Sequence, residues 1–223
     1  MTSANSPATA AEIHAHLIKQ FNRALRSPET FGGEVALHLL ITNLLFVERR
    51  PDAYTPQRQA WIDNKTFRAT GVTGAYRELI PGHSYNDGMA SVYAEFAQQC
   101  GWLESDRLLT TAEYETLTGS VRQWAEKDRT WPDVTATFGP PSVLLGGDNP
   151  LYGKTLGYLS EDMEQPMVLF HLWNGSAPGT NSWPPDHEQP LLLAVRFGEG
   201  LFPDTFTFTP EGERKRPRAL CPH

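Results

Sequence analysis

The most familiar chemical spacing in this chain lies in residues 143–155, VLLGGDNPLYGKT. A phosphate-binding loop needs G-x-x-x-x-G-K-[ST] between a buried strand and a helix, because its backbone amides wrap the phosphates while the lysine reaches them. Gly153, Lys154 and Thr155 supply the end of that pattern, and Val143, Leu144 and Leu145 supply an apolar lead-in. The first glycine is missing. Asp148 stands in its place, with Gly147 one position early, and a carboxylate there repels the anion the loop should hold. Only a short segment separates Thr155 from Pro166, and no acidic residue ends the apolar run MVLFHLW as a magnesium-holding carboxylate would. The stretch therefore reads as a turn, GGDNP, feeding an antiparallel strand, and no cofactor is expected.

A second set of residues comes from alternation. In the runs 167–174, 191–197 and 205–209 every other side chain shares a face, which groups His171 and Trp173 with Met167 and Leu169, and separates Arg196 from Val195. One sheet face is thereby expected to be core. The other is expected to gather His171, Trp173, Arg196 and Thr207, an aromatic and cationic mixture able to hold a carboxylate ligand or a partner's side chain. Trp183, in the polar, Pro-rich connection 175–189, joins them as a binding candidate, since that connection is long enough for a flap. The plain alternative is a half-exposed antiparallel sheet with scattered polar residues.

Other chemical residues read as structural. His83, Ser84 and Asp87 in PGHSYNDG lie too close together in sequence for triad geometry, and Asn86 or Asp87 is a natural cap for the helix that follows. Glu34 and His38 stand one helical step apart, but no second histidine completes an HExxH motif, so a hydrogen-bonded core histidine is expected. His14 and His16, two apart on a helix, cannot chelate one ion together. Cys100 and Cys221 have no metal-ligand spacing and read as free thiols, so no metal is expected. The sequons at Asn64 and Asn174 read as chance.

These residues need elements to hold them. Thr9 and Glu12 form a capping box ahead of Ile13, Leu17, Ile18, Phe21, Ala24 and Leu25 at helical spacing, until Ser27-Pro28 stops the run. VALHLLITNLLFV, apolar almost all round, predicts a buried central helix. Thr55-Pro56 predicts a helix start, and Met89, Val92, Tyr93, Phe96 and Cys100 form one stripe. Thr110 and Glu113 form a second capping box before Tyr114, Leu117, Val121 and Trp124. Beyond Trp131-Pro132, Pro and Gly become dense and period-2 runs take over at 155–160, 167–174, 191–197 and 205–209. The fold class is α+β: a helical part, 9–130, packed as one compact unit on a mainly antiparallel sheet, 131–210, with a disordered lead-in, 1–8, and a basic flexible tail, 211–223.

Composition narrows the function classes. The 223 residues carry a formal charge of −7, with 39% hydrophobic and 20% charged residues. That balance opposes binding to a nucleic-acid backbone, and no stretch approaches the roughly 18 consecutive apolar residues of a membrane span. MTSANSPATAAE lacks the basic and apolar regions of a secretory signal, which makes the cytoplasm the expected location. The leading expectation is a non-enzymatic protein-interaction module, an adaptor or toxin-neutralising protein, whose acidic surface suits a basic partner. The alternative is a small-molecule binder or enzyme with its pocket between helices and sheet, His171 acting as acid/base and Arg196 orienting an anionic substrate.

Overall fold

The computed structural model describes residues 7–81, 85–175, 185 and 187–217. Helices lead: α1 Ala10–Arg26, α2 Pro28–Phe31, α3 Gly33–Val47, α4 Tyr54–Asp63, α5 Gly71–Arg77, α6 Tyr85–Cys100, α7 Thr111–Trp124 and α8 Trp131–Phe138. Strands β1 Val143–Leu145, β2 Lys154–Tyr158, β3 Val168–Trp173, β4 Leu191–Arg196 and β5 Phe206–Phe208 follow, and α9 Pro210–Lys215 comes after them. The capping boxes at Thr9/Glu12 and Thr110/Glu113 both form, which satisfies amide groups that a helix start otherwise leaves open. Among the described residues no helix is long and apolar enough to cross a membrane.

The strands form a meander in the order β1-β2-β3-β4-β5, every neighbouring pair antiparallel. Helices cover both faces. On one side Val143, Leu145, Met167, Leu169, Trp173 and Leu193 enter a core with α1, α3, α4, α5 and α6. On the other, Leu156, Tyr158, Val168, Phe170, Leu172, Leu192 and Val195 pack against Leu117 and Val121 of α7 and Val134 of α8. Every residue of β2 and β3 is buried, so these strands have no half-exposed face of the kind the plain alternative supposed. Strands buried on two sides read as continuous apolar runs, and MVLFHLW is one. A bulge interrupts the β3–β4 ladder: Ala194 pairs with His171 but Leu192 pairs with Leu172, leaving Leu193 as an extra residue that turns into the core shared with α1 and α3 to α6.

The structure departs from the sequence expectations at several helix ends. The helix expected to begin at Thr55-Pro56 starts at Tyr54, running on from a 3-10 turn at Pro51–Ala53. Tyr85 already belongs to α6, which places Asp87 inside its first turn rather than at the cap. Past the expected end of the helical part, Thr130 and Asp133 form a third capping box and start α8. The tail expected to be flexible is helical as far as Lys215. Thr209 caps α9, and Arg214 Nη2 reaches Asp128 Oδ2 at 2.9 Å. Lys215 Nζ sits 4.4 Å above the Trp173 ring.

Candidate functional site

His171 and Arg196 share the side of the sheet that faces α5 and α6, because Leu169 pairs with Arg196 and His171 with Ala194 across one ladder. Trp173 lies on the same side. Thr207 does not: it pairs with Val195 and so belongs to the opposite face, a correction to the expected grouping. Trp183 falls outside the described residues, as does most of its connection. Around His171, 1% exposed, the Thr155 hydroxyl shares a 3.0 Å hydrogen bond with Nδ1, Phe206 stacks at 5.6 Å, and Tyr76 meets the ring edge-on at 5.3 Å. Arg196 Nη2 donates to Glu95 Oε2 at 2.7 Å and to Ser91 Oγ at 3.3 Å. Burial, reinforced by the Arg196 charge, holds His171 well below its ordinary pKa, so it is neutral. Burial opposes the Arg196 charge, but the Glu95 carboxylate outweighs it and holds the guanidinium above its usual value. Chemically this is a neutral imidazole and a paired cation that tie β2, β3 and β4 to α5 and α6.

The near-miss phosphate loop resolves into a β1–β2 hairpin connection with no helix after it. Its lysine turns back on its own loop: Lys154 Nζ donates to Asn149 O at 2.6 Å and to Gly147 O at 3.4 Å, and lies 4.0 Å from the centre of the Trp131 ring. Carbonyl oxygens and a π face select a cation, the opposite of a phosphate cradle. Burial pushes Lys154 down to about 8 and pushes buried Asp87 up, with each charge partly offsetting the shift of the other. A lysine depressed in the fold is charged in both states below pH 8. Between pH 8 and its unfolded value it is protonated only in the unfolded chain, so stability rises with pH across that window. Wild-type protein is therefore expected to gain on the order of 2 kcal/mol relative to Lys154→Met between pH 7.5 and 10. Paired urea titrations at each pH read this difference, from which the buried tyrosines cancel; parallel curves would refute it.

A third cluster sits on α3. The Glu34 carboxylate accepts the Val72 N–H at 2.7 Å and the Thr73 N–H at 3.0 Å, at the first turn of α5. The Tyr93 hydroxyl donates to Glu34 Oε1 at 2.7 Å. His38 Nε2 lies 2.8 Å from that hydroxyl and 3.1 Å from the Tyr54 hydroxyl. Burial holds His38 down and both tyrosines up, so all three are neutral near pH 7. His38 is thus a hydrogen-bonded histidine, linked to Glu34 through Tyr93 more closely than by their direct 4.0 Å approach.

The outward side of α3 departs most from the expected buried helix. Leu37, Ile41, Leu44 and Leu45 are buried, but Val35 is 71%, Leu39 62% and Phe46 73% exposed. With exposed Thr42 between them these residues recur at steps of four, three and four, the spacing of a helix-packing seam. The 2.9 Å His14–Glu48 bond brings the start of α1 to the end of α3. There half-exposed Ile13, with Ala8, Glu12, His16 and Leu17, lines a surface hollow of about 480 Å³. The 4-3-4 spacing was visible in the sequence; which side of an all-apolar helix the rest of the chain leaves open was not.

Among the described residues no three His, Cys, Asp or Glu side chains are grouped to hold a metal ion. Comparisons with protein-family models, with curated proteins and with solved structures returned no match.

Proposed function

We propose that this chain is a protein-interaction module whose docking face is the outward side of α3 together with the start of α1. One observation carries the reading: a single helix holds Val35, Leu39 and Phe46 in water in one row. Apolar area left in water forgoes about 25 cal/mol per Å², and aligned large side chains recover it only by covering one another or a partner. Among the described residues, the other exposed large hydrophobics away from this face, Ile62, Leu108, Tyr152, Met163 and Leu201, come from five separate parts of the chain.

The support behind the row suits docking. Glu34 ties the start of α3 to α5, Tyr93 and Tyr54 hold His38 at its middle, and Glu48 at its end accepts from Trp102 Nε1 at 2.7 Å. A helix fixed at three points presents its side chains with little ordering left to lose on binding.

A photo-crosslinking residue at position 39 tests the reading against the same residue at exposed Ser120 on α7. Illumination in cells is expected to give one discrete adduct from position 39 and none from position 120. Equal, diffuse labelling from both positions would sink the proposal.

A further inference from the structure

We infer that the partner seated on the α3 face is a second copy of this chain, with the two α3 helices antiparallel across a two-fold axis. This rests on the interaction reading above and goes beyond it. The first argument is the row itself. Steps of four, three and four read the same in both directions, so a two-fold axis midway between positions 40 and 41 brings Val35 against the partner copy's position 46 and Leu39 against its position 42. Each large side chain then meets a neighbour of the seam, as helices packed about 8–10 Å apart require. Thr42, at the centre, already spends its hydroxyl on His38 O at 2.9 Å, which leaves its methyl for the contact.

Charge supplies the second argument. Exposed Glu29 in α2 lies beside the start of α3 and exposed Arg49 follows its other end, whereas Glu34 is bonded inward to α5 and Arg50 to Glu48. The antiparallel axis places position 49 opposite position 32 of the other copy, three residues from its position 29. A parallel pairing stacks like charge on like charge. Antiparallel alignment also sets the two helix dipoles head to tail.

The size of the face limits the affinity. A helix of 15 residues is about 22 Å long, and one helix pair flanked by α1 falls at or below the roughly 800 Å² per partner of a standard interface. The dimer is therefore expected to dissociate with a constant on the order of 10 µM, about −7 kcal/mol.

Sedimentation velocity on the full chain, from about 1 to 200 µM, is expected to show a monomer–dimer equilibrium in that range. Phe46→Glu and Leu39→Lys, both at exposed positions, are expected to weaken it by at least about 30-fold with unchanged circular dichroism. Arg49→Glu is expected to weaken it several-fold and to reduce its salt dependence. Orientation is read in a background with Cys100→Ser and Cys221→Ser. A mixture of Leu39→Cys and Thr42→Cys chains should oxidise to the 39–42 disulfide. Val35→Cys should not pair with itself, because the two copies of position 35 lie about 16 Å apart along the seam. A chain that stays monomeric at all concentrations, a dimer that survives both seam substitutions, or a 35–35 disulfide each overturns the inference. If the adduct from position 39 is another protein and the purified chain stays monomeric, the interaction reading survives and the second copy does not.

Discussion

Glu34→Ala is expected to be among the most destabilising single substitutions in the helical layer, at about 3–4 kcal/mol. The carboxylate accepts two backbone N–H groups at the first turn of α5 and the Tyr93 hydroxyl, and hydrogen bonds to a charged group contribute roughly 1.5–3 kcal/mol each when their loss strands the partner. The backbone is shaped to admit this group. Gly71 has a φ of +81°, and a Cβ on it would fall 2.5 Å from Glu34 Oε1, so only glycine lets α5 begin against the carboxylate. A drop of roughly 10 °C in Tm follows for a chain of this size. Glu34→Gln keeps an acceptor but not the charge and should lose about half as much. Tyr93→Phe removes one member of the chain of bonds and should cost about 1 kcal/mol. Thermal melts of the three variants in that order would support the network; Glu34→Ala within 1 °C of wild type would contradict it.

A methyl group at position 212 is expected to release α9. Gly212 lies against the β4 bulge so closely that a Cβ would fall far inside van der Waals contact with the Leu193 backbone carbonyl. Backbone cannot give way as a side-chain tip does, so Gly212→Ala must lift the helix, at about 2–3 kcal/mol. The lift also breaks the Thr209 bonds to Leu192 O and Leu193 O, the Arg214–Asp128 pair and the Lys215 contact over Trp173. Tm should fall by roughly 5–10 °C, and trypsin should cut at Arg214 and Lys215 well before global unfolding. Gly119, on the exposed side of α7 with nothing within 4 Å of its would-be Cβ, is the internal control. Gly119→Ala should stabilise by about 0.5–1 kcal/mol. If both substitutions behave alike, the packing at Gly212 is not what holds α9.

Local signals in the sequence were reliable where one short stretch carried all the information. The capping boxes at Thr9 and Thr110 involve four residues each, and both form. The strands after residue 154 came out within a residue or two because their apolar runs are bounded by Pro, Gly and Asp. What alternation could not supply was the number of covered faces: β3 has no polar side chain on its Val168, Phe170 and Leu172 face, a mark of a strand buried on both sides, yet the same string fits a one-sided strand. Leu193 defeated face assignment because a bulge is a relation between two strands. α9 was misread because Arg214 finds Asp128 from 86 residues away. Of the candidate site, His171, Trp173 and Arg196 do share a face, whereas Thr207 follows Val195 to the other. The row on α3 was hidden for a related reason: a helix apolar on every side says nothing about which neighbour is absent.

The two outermost strands of the sheet are also its shortest, three residues each in β1 and β5. A free sheet edge is where a β protein recruits further strands and grows into fibres, and an edge of three residues offers too few unpaired N–H and C=O groups to template another chain. The apolar surface in water is instead carried by a helix, which cannot add strands. Growth through a two-fold seam of the kind inferred above stops at two, since the same patch on each copy is then used by the other. This molecule can therefore keep an apolar face in water without the open-ended polymerisation that an equally apolar strand would invite.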